Sequence, residues 1–342
     1  MKILLVGSNK HYAIERYYVK YLKELGAEVF HFPSADIVFD FHSKNIINKV
    51  LFHSKIYSAY GPVNRQLINV AHSFNPDIIW IFKGMEIYPE TLAKLRKKFK
   101  LANYNPDHPF IFAGRGSGNN NVTKSIGLYH LHFCYQMSLQ NQFEKEYGIP
   151  SVFLPFAFET TDMVYTHPDK IREIDKICFQ ANPDKYRVKK IEFLTEKGLE
   201  VDVYGVGWEK TRLRYNSKVK LLKIASRAEF WKKNQEYRVQ LNLFRVHTLD
   251  SHNMRTFEIP AVGGIQLSPF SSEQALFFEN NKEIFFFKDE EEMAARAETL
   301  LSLNWEEAKE VRTSARKRSL ESGYTFADRA AIVLNTFQNL LW

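Results

Sequence analysis

Two cysteines in 342 residues, Cys134 and Cys178, are too few and too far apart for a disulfide framework or a metal knuckle. They suit a reducing compartment. No run of about 18 apolar residues occurs, so no transmembrane helix is predicted. The opening "MKILLVGS" turns polar after a short apolar stretch and lacks the longer core and cleavage site of a signal peptide. It reads as a first strand, and the protein as cytoplasmic. Glycine-rich signatures are missing too. Gly7 begins no GxGxxG, Lys210 stands where a third glycine would follow Gly205 and Gly207, and "GRGSGNNN" at 114–121 has no Gly-Lys-Ser/Thr after it. These absences argue against a nicotinamide dehydrogenase and a P-loop NTPase. No Asp-x-Asp sits at a strand end and no recognised nucleic-acid motif appears, so neither a metal cofactor nor a nucleic-acid partner is expected.

What is present is the balance of a globular protein, 45% hydrophobic and 25% charged, with a net charge of +8. The excess favours acidic partners such as nucleotide or lipid phosphates. Basic residues are scattered except for "KLRKKFK" at 94–100. That run is either the solvated face of an amphipathic helix or a weak contact for an anionic membrane surface.

The length suits two domains. "KILLVG", "AEVFHF" and "PDIIWIF" read as buried strands, with helical patterns at 11–25, after Pro62 and from Pro89. Residues 34–60 are less regular. "YHLHFCYQ" and "SVFLPFAF" continue the sheet; His130, His132 and Cys134 alternate on one face of a strand, which is better read as packing than as a metal set. A second alternating series starts at "DKICFQA" and includes "VDVYG", "VQLNLF", "IQLSP" and "EIFFF". The expected organisation is an N-terminal Rossmann-like domain over 1–157, a linker over 158–172, a second such domain over 173–325, and a helix over 326–342 able to cross back to the first. The fold class is α/β, with doubly wound sheets whose ligands bind beyond the carboxyl ends of the strands.

"HNMRTFEIPAVGG" at 252–264 is the most informative segment. Asn253 or Ser251 can cap a short helix whose first N–H groups form an anion site. Arg255 in the first turn can bind the same phosphates. Glu258, one turn on, can accept ribose hydroxyls from a position facing the cleft and outside the core. Gly263 and Gly264 then end the helix close to the next strand. A plainer reading makes Arg255 and Glu258 an intrahelical ion pair and the glycines an ordinary cap.

The segment resembles the C-terminal domain of the CgeB-like (spore-maturation-protein-like) glycosyltransferases, which carry Asn-x-Arg-x-Phe-Glu-x-x-Ala-x-Gly-Gly in the nucleotide-sugar site. "CFQANPDKYRVKKIEFLTEKGLEVDVYGVGW", "VQLNLFR", "KEIFFFKDEEEM" and "SGYTFADRAAIVL" resemble further family elements in order, with Gly323 where His is usual. The likeness covers most of 175–335 and is looser before residue 150, chiefly at "LANYNPDHP". It implies the GT-B architecture, two Rossmann-like domains facing a central cleft with C-terminal helices packing back. It also implies transfer of a sugar from a nucleotide diphosphate donor, expected to be a UDP-sugar, to a hydroxyl acceptor that is polymeric or lipid-linked. A GT-B epimerase and a non-catalytic nucleotide-sugar-binding protein are the alternatives. In retaining GT-B enzymes two glutamates stand eight positions apart; here Asp250 occupies the first of these positions.

Other candidate donor contacts are Arg187 at a helix start, Arg245 at a strand end, and Tyr204, Gly205 and Trp208 as a frame for the nucleobase. A base for the acceptor hydroxyl would come from the first domain, where His11 and Glu15 follow one strand and Asp107 and His108 another. Turn and cap roles are the plainer reading of these four, and the stereochemistry is left open.

Overall fold

The apolar runs form two separate parallel sheets in the computed structural model of the chain, which describes residues 1–54, 59–112, 116–223, 226–245 and 250–341. The chain divides into two units. Unit 1 comprises Met1–Pro155 and Phe326–Trp342, and unit 2 comprises Phe156–Thr325.

Unit 1 runs β1 (Lys2–Val6), α1 (Glu15–Glu24), β2 (Glu28–Phe32), α2 (Ser34–Ser43), α3 (Ile46–His53), α4 (Tyr60–Phe74), β3 (Ile78–Phe82), α5 (Pro89–Arg96), β4 (Lys100–Tyr104), α6 (Asn120–Ser125), β5 (Leu131–Cys134), α7 (Met137–Tyr147) and β6 (Ser151–Phe153). Its strands pair in parallel in the order β2-β1-β3-β4-β5-β6. All five residues of β3 are buried, as a central parallel strand covered on both faces requires. The stretch 34–60, irregular in pattern, contains α2 and α3. Its apolar residues do not follow one helical face because several of them stay exposed. His132 is buried, with Nε2 3.0 Å from the Ile126 carbonyl oxygen and its ring stacked on Phe143. Burial pushes its pKa down to about 4, so it stays neutral. In 94–100, Leu95 and Phe99 are buried and the basic side chains are exposed, which is a solvated helix end with no uncovered apolar residue. Gly114 and Arg115 lie outside the described residues; the rest of that loop packs back through Asn119 and Asn121, which both donate to the Met85 carbonyl.

Unit 2 runs β7 (Ile174–Gln180), α8 (Lys185–Glu196), β8 (Val201–Tyr204), β9 (Val219–Leu222), α9 (Arg227–Glu236), β10 (Tyr237–Leu241), α10 (Met254–Ala261), β11 (Gln266–Pro269), α11 (Ser272–Phe277), β12 (Phe285–Phe287), α12 (Glu290–Ser302) and α13 (Trp305–Glu321). The order is β12-β11-β10-β7-β8-β9, again parallel. Residues 158–172 belong to this unit: Phe158 donates to the Tyr324 carbonyl, and Thr166 to the Gln235 side chain. The last helix, α14 (Phe326–Leu341), belongs to unit 1, where Phe326 stacks on Tyr17 and Phe337 packs against Trp80 and Phe133.

Candidate active site

In a doubly wound sheet the strand order reverses at one point, and a crevice opens there beyond the carboxyl ends. In unit 2 that point lies between β7 and β10. Arg187, the third residue of α8, spans it. Its Nη1 donates to the Asn182 carbonyl after β7 and its Nη2 to the Leu243 carbonyl after β10, each at 3.0 Å. The side chain is buried and ties the two loops together, which corrects the expectation of a guanidinium reaching out to phosphate. Burial pushes its pKa down, Asp184 opposes this, and the Arg245 and Arg255 guanidiniums lower it further. Three arginines therefore share one electrostatic neighbourhood at the switch point.

Asn253 caps α10: its side-chain oxygen accepts from the Thr256 N–H at 3.1 Å, and Thr256 closes a capping box. The Asn253 amide donates to Asn242 beside β10 at 2.8 Å. Asn253 therefore orients the helix, and its side chain is not turned to a ligand. Arg255 follows in the first turn, one-third exposed, with its guanidinium 4.2 Å from the Phe230 ring centre. Its Nε is buried and has no hydrogen-bond partner among the described residues.

Glu258 departs from expectation. It is 0% exposed and lies in the core of the unit. One carboxylate oxygen accepts from Arg255, the other from Arg227 of α9 at 2.7 Å. Burial alone would raise its pKa; the two guanidiniums outweigh that and hold it below the usual carboxylate range. The spacing of Arg255 and Glu258 does make an intrahelical pair, as in the plainer reading, but a buried one. Arg227 completes it, stacked on Phe230 and Trp231. Nothing in the local pattern announced Arg227, which comes from 31 positions earlier; only its place just after the Ser226 cap marks it as the start of a helix.

Gly263 and Gly264 close α10 as expected. A Cβ on Gly264 would lie 2.6 Å from the Asn234 carbonyl oxygen and 2.7 Å from the Ile259 side chain. Gly264→Ala should lower unfolding free energy by about 1–3 kcal/mol, measured by urea denaturation. An unchanged midpoint would show that the helix-to-strand approach has slack.

The remaining candidates are mostly structural. Asp250 accepts from the Ser272 N–H and hydroxyl, so it caps the approach to α11. Arg245 is exposed and stands just before residues 246–249, which lie outside the described residues. Tyr204 is buried, its hydroxyl 3.0 Å from that of Tyr237, which donates to Asp202. Trp208 is buried in the core and donates from Nε1 to the Ala181 carbonyl at 2.9 Å. Gly205 passes that same carbonyl so closely that a Cβ would sit 2.5 Å from it. Gly205 and Trp208 knit the β8 loop to the β7 loop, Tyr204 reaches β10, and neither ring is offered to a base. A buried pair that the pattern did not reveal stands next to α10. His252 Nδ1 lies 2.8 Å from Glu273, and its Nε2 accepts from the Phe156 N–H. An accepting Nε2 puts the proton of a neutral ring on Nδ1.

In unit 1 the order reverses between β1 and β3. Glu15, first in α1, packs over Gly7 and accepts from the Ser8 N–H at 3.1 Å. Burial raises its pKa to about 7; the peptide N–H groups and Lys83 oppose this, while Glu86 adds to it. Lys83, after β3, pairs with Asp107 at 2.5 Å and donates to the Gly116 carbonyl. Glu86 is buried and accepts from Ser34 at 2.5 Å; burial raises its pKa as well. His108 Nδ1 accepts from the Phe110 and Ile111 N–H groups, which makes it the cap of a turn. His11 is exposed beside Tyr12. Of the four expected residues, Asp107 pairs directly with Lys83, while Glu15 feels Lys83 only through its field. Lys83 and Glu86 were not singled out in the sequence, although a cation directly after the apolar run of β3 was the available sign.

Residues 187–335 match the family described as glycosyl transferase-like. No curated protein matches the sequence. Among solved structures, the chain is similar to Anabaena HepE in complex with UDP and glucose, at 13% identity over 99% of this chain and 100% of that one, with a TM-score of 0.66. It is similar to sucrose-phosphate synthase from Thermosynechococcus elongatus at 10% identity, with 99% of both chains covered and a TM-score of 0.70. It is also similar to a UDP-N-acetylglucosamine 2-epimerase, so described, from Listeria monocytogenes, at 13% identity over 99% and 96% of the chains and a TM-score of 0.61. The fold is GT-B, two parallel six-stranded sheets with flanking helices.

Proposed function

We propose that the chain is a glycosyltransferase that moves a sugar from a nucleotide diphosphate donor to a hydroxyl acceptor. The observation that carries this reading is the gathering of Arg187, Arg245, Arg255 and Arg227 around the switch point of unit 2, inside the stretch that matches the glycosyl transferase-like family. Arg255 and Arg245 bind the diphosphate; Arg187 holds the loops under it, and Glu258 fixes Arg255 and Arg227. The solved HepE complex, which holds UDP and glucose, supports a UDP-sugar as donor. Unit 1 serves the acceptor, with Glu15 as the group that takes the hydroxyl proton. An epimerase would need carboxylates turned to the donor sugar. Glu258 is held by two arginines and Asp250 by Ser272, which favours transfer. Isothermal titration with UDP and UDP-glucose, then chromatography of the products after incubation with sugar acceptors, tests the reading. No affinity for any nucleoside diphosphate would overturn it.

The same guanidiniums neutralise the leaving diphosphate, so turnover should be independent of divalent metal. Incubation with EDTA is expected to change the rate by less than about twofold. Loss of activity that manganese restores would mean the arginines do not suffice.

A further inference from the structure

Unit 1 leaves a group of large apolar side chains uncovered. Phe39 in α2 is 60% exposed, and Phe41 also faces solvent; in α3, Ile46 is 77%, Ile47 71% and Val50 56% exposed. Ile46, Ile47 and Val50 stand at i, i+1 and i+4, on one side of the helix. Lys44 and Lys49 are exposed among them. Asp40 is the sole acid between residues 37 and 54, and Lys10 pairs with it at 2.9 Å while lying over the Phe39 ring. The apolar side of α3 beside two lysines, with Asp40 of α2 paired to Lys10 and Asp36 of α2 bonded to the β1–α1 loop, is the pattern of a helix lying in a lipid interface.

α2 is tied to the loop that leads to Glu15. Asp36 of α2 accepts from the Ser8 hydroxyl and the Asn9 N–H at 2.7 and 2.6 Å, and Ser8 in turn donates its N–H to Glu15. The loop so anchored carries His11 and Tyr12, the latter 70% exposed. We propose that α2 and α3 dock on the surface of an anionic bilayer, with the β1–α1 loop brought to the headgroups where a lipid-linked hydroxyl acceptor is presented. The docking stands without the transferase reading; only the acceptor's identity rests on it. A second copy of the chain is the weaker occupant. A two-fold contact would bring together two faces that each carry Lys44 and Lys49, with Asp40 already paired to Lys10.

The test is flotation of the whole chain with phosphatidylcholine vesicles, with and without phosphatidylglycerol, at low salt. The wild type should float with the phosphatidylglycerol vesicles. Ile47→Ser with Val50→Ser should reduce the bound fraction by about tenfold. Lys44→Glu with Lys49→Glu should abolish the preference for phosphatidylglycerol. These side chains are exposed, so melting temperatures should stay as in the wild type; if the serine pair misfolds, the charge pair carries the test. Absence of flotation, or flotation equal in all variants, overturns the proposal. So does a dimer in light scattering that the serine pair turns into a monomer. UDP titration on the same proteins keeps the two readings apart: a chain that floats without binding UDP sinks the transferase and leaves the docking intact.

Discussion

Arg255→Ala is expected to weaken UDP binding by about 10- to 100-fold and leave uridine binding nearly unchanged. The side chain is one-third exposed at the first turn of α10, its Nε lacks a partner among the described residues, and Arg187 and Arg245 stand near it. Removing it would delete the proposed phosphate contact without opening the core, because Arg227 still pairs with Glu258. Glu258→Ala should behave differently. It leaves two guanidiniums facing a buried hole, a loss of about 2–4 kcal/mol in unfolding free energy, somewhat under the range for fully buried pairs because both arginines reach water. UDP affinity should fall as well, since Arg255 loses its anchor. Glu258→Gln should lose nearly as much as Ala, because its amide N–H groups would meet a guanidinium. The pH dependence has a definite sign. A carboxyl with a depressed folded pKa stabilises the fold above its unfolded value, and that stability disappears as pH falls through the folded one. Wild type should therefore lose more stability in acid than Glu258→Ala does. Titration calorimetry and chemical denaturation of the three variants decide the matter. An Arg255→Ala protein with unaltered UDP affinity would reduce the pair to an internal brace.

Glu15→Gln should give a protein that is more stable and almost inactive. The Glu15 carboxyl has its pKa raised from 4.5 to about 7, so the folded state holds its proton through a range where the unfolded chain has released it. Its contribution is complete below pH 4.5, declines as pH rises toward 7, and is absent above that. Ionised Glu15 costs about 1–3 kcal/mol at pH 8, and the amide removes that cost while still accepting from the Ser8 N–H. If Glu15 takes the acceptor proton, kcat should fall by about 10²- to 10⁴-fold. Urea denaturation at pH 5 and pH 8, beside a pH–rate profile, separates the effects. Wild type should lose stability between the two pH values and the variant should not. Full activity in the more stable variant would show that Glu15 is not the base.

β3 was legible because a fully buried parallel strand is a continuous apolar run bounded by turns, and β7 through its buried C-terminal half, Ile177–Gln180. β9 was not. "VKLL" lies at a sheet edge, only partly buried and interrupted by exposed Lys220, and an edge strand of that kind looks like a loop in sequence. α10 was legible through its cap and its glycines, local features that act within a few residues. The direction of Glu258 was not, because it depends on Arg227 arriving from another helix. Tyr204 and Trp208 illustrate the same limit. A Tyr-Gly-x-x-Trp turn states that two rings are near each other, while their burial is fixed by Tyr237, Ala181 and Phe179. Local pattern thus placed candidates at the carboxyl ends of strands; the strand order fixed where the switch points lie, and long-range pairing decided which way the side chains there turn.

The chain leaves unit 1 at Pro155, completes unit 2, and only then supplies α14 to unit 1. Tyr17, Trp80 and Phe133 wait for Phe326 and Phe337, which the ribosome delivers after all of unit 2. The half that is synthesised first is therefore the half that closes last. Until α14 emerges, Trp80 and Phe133 lack the ring contacts that Phe337 supplies, whereas unit 2 is one unbroken segment.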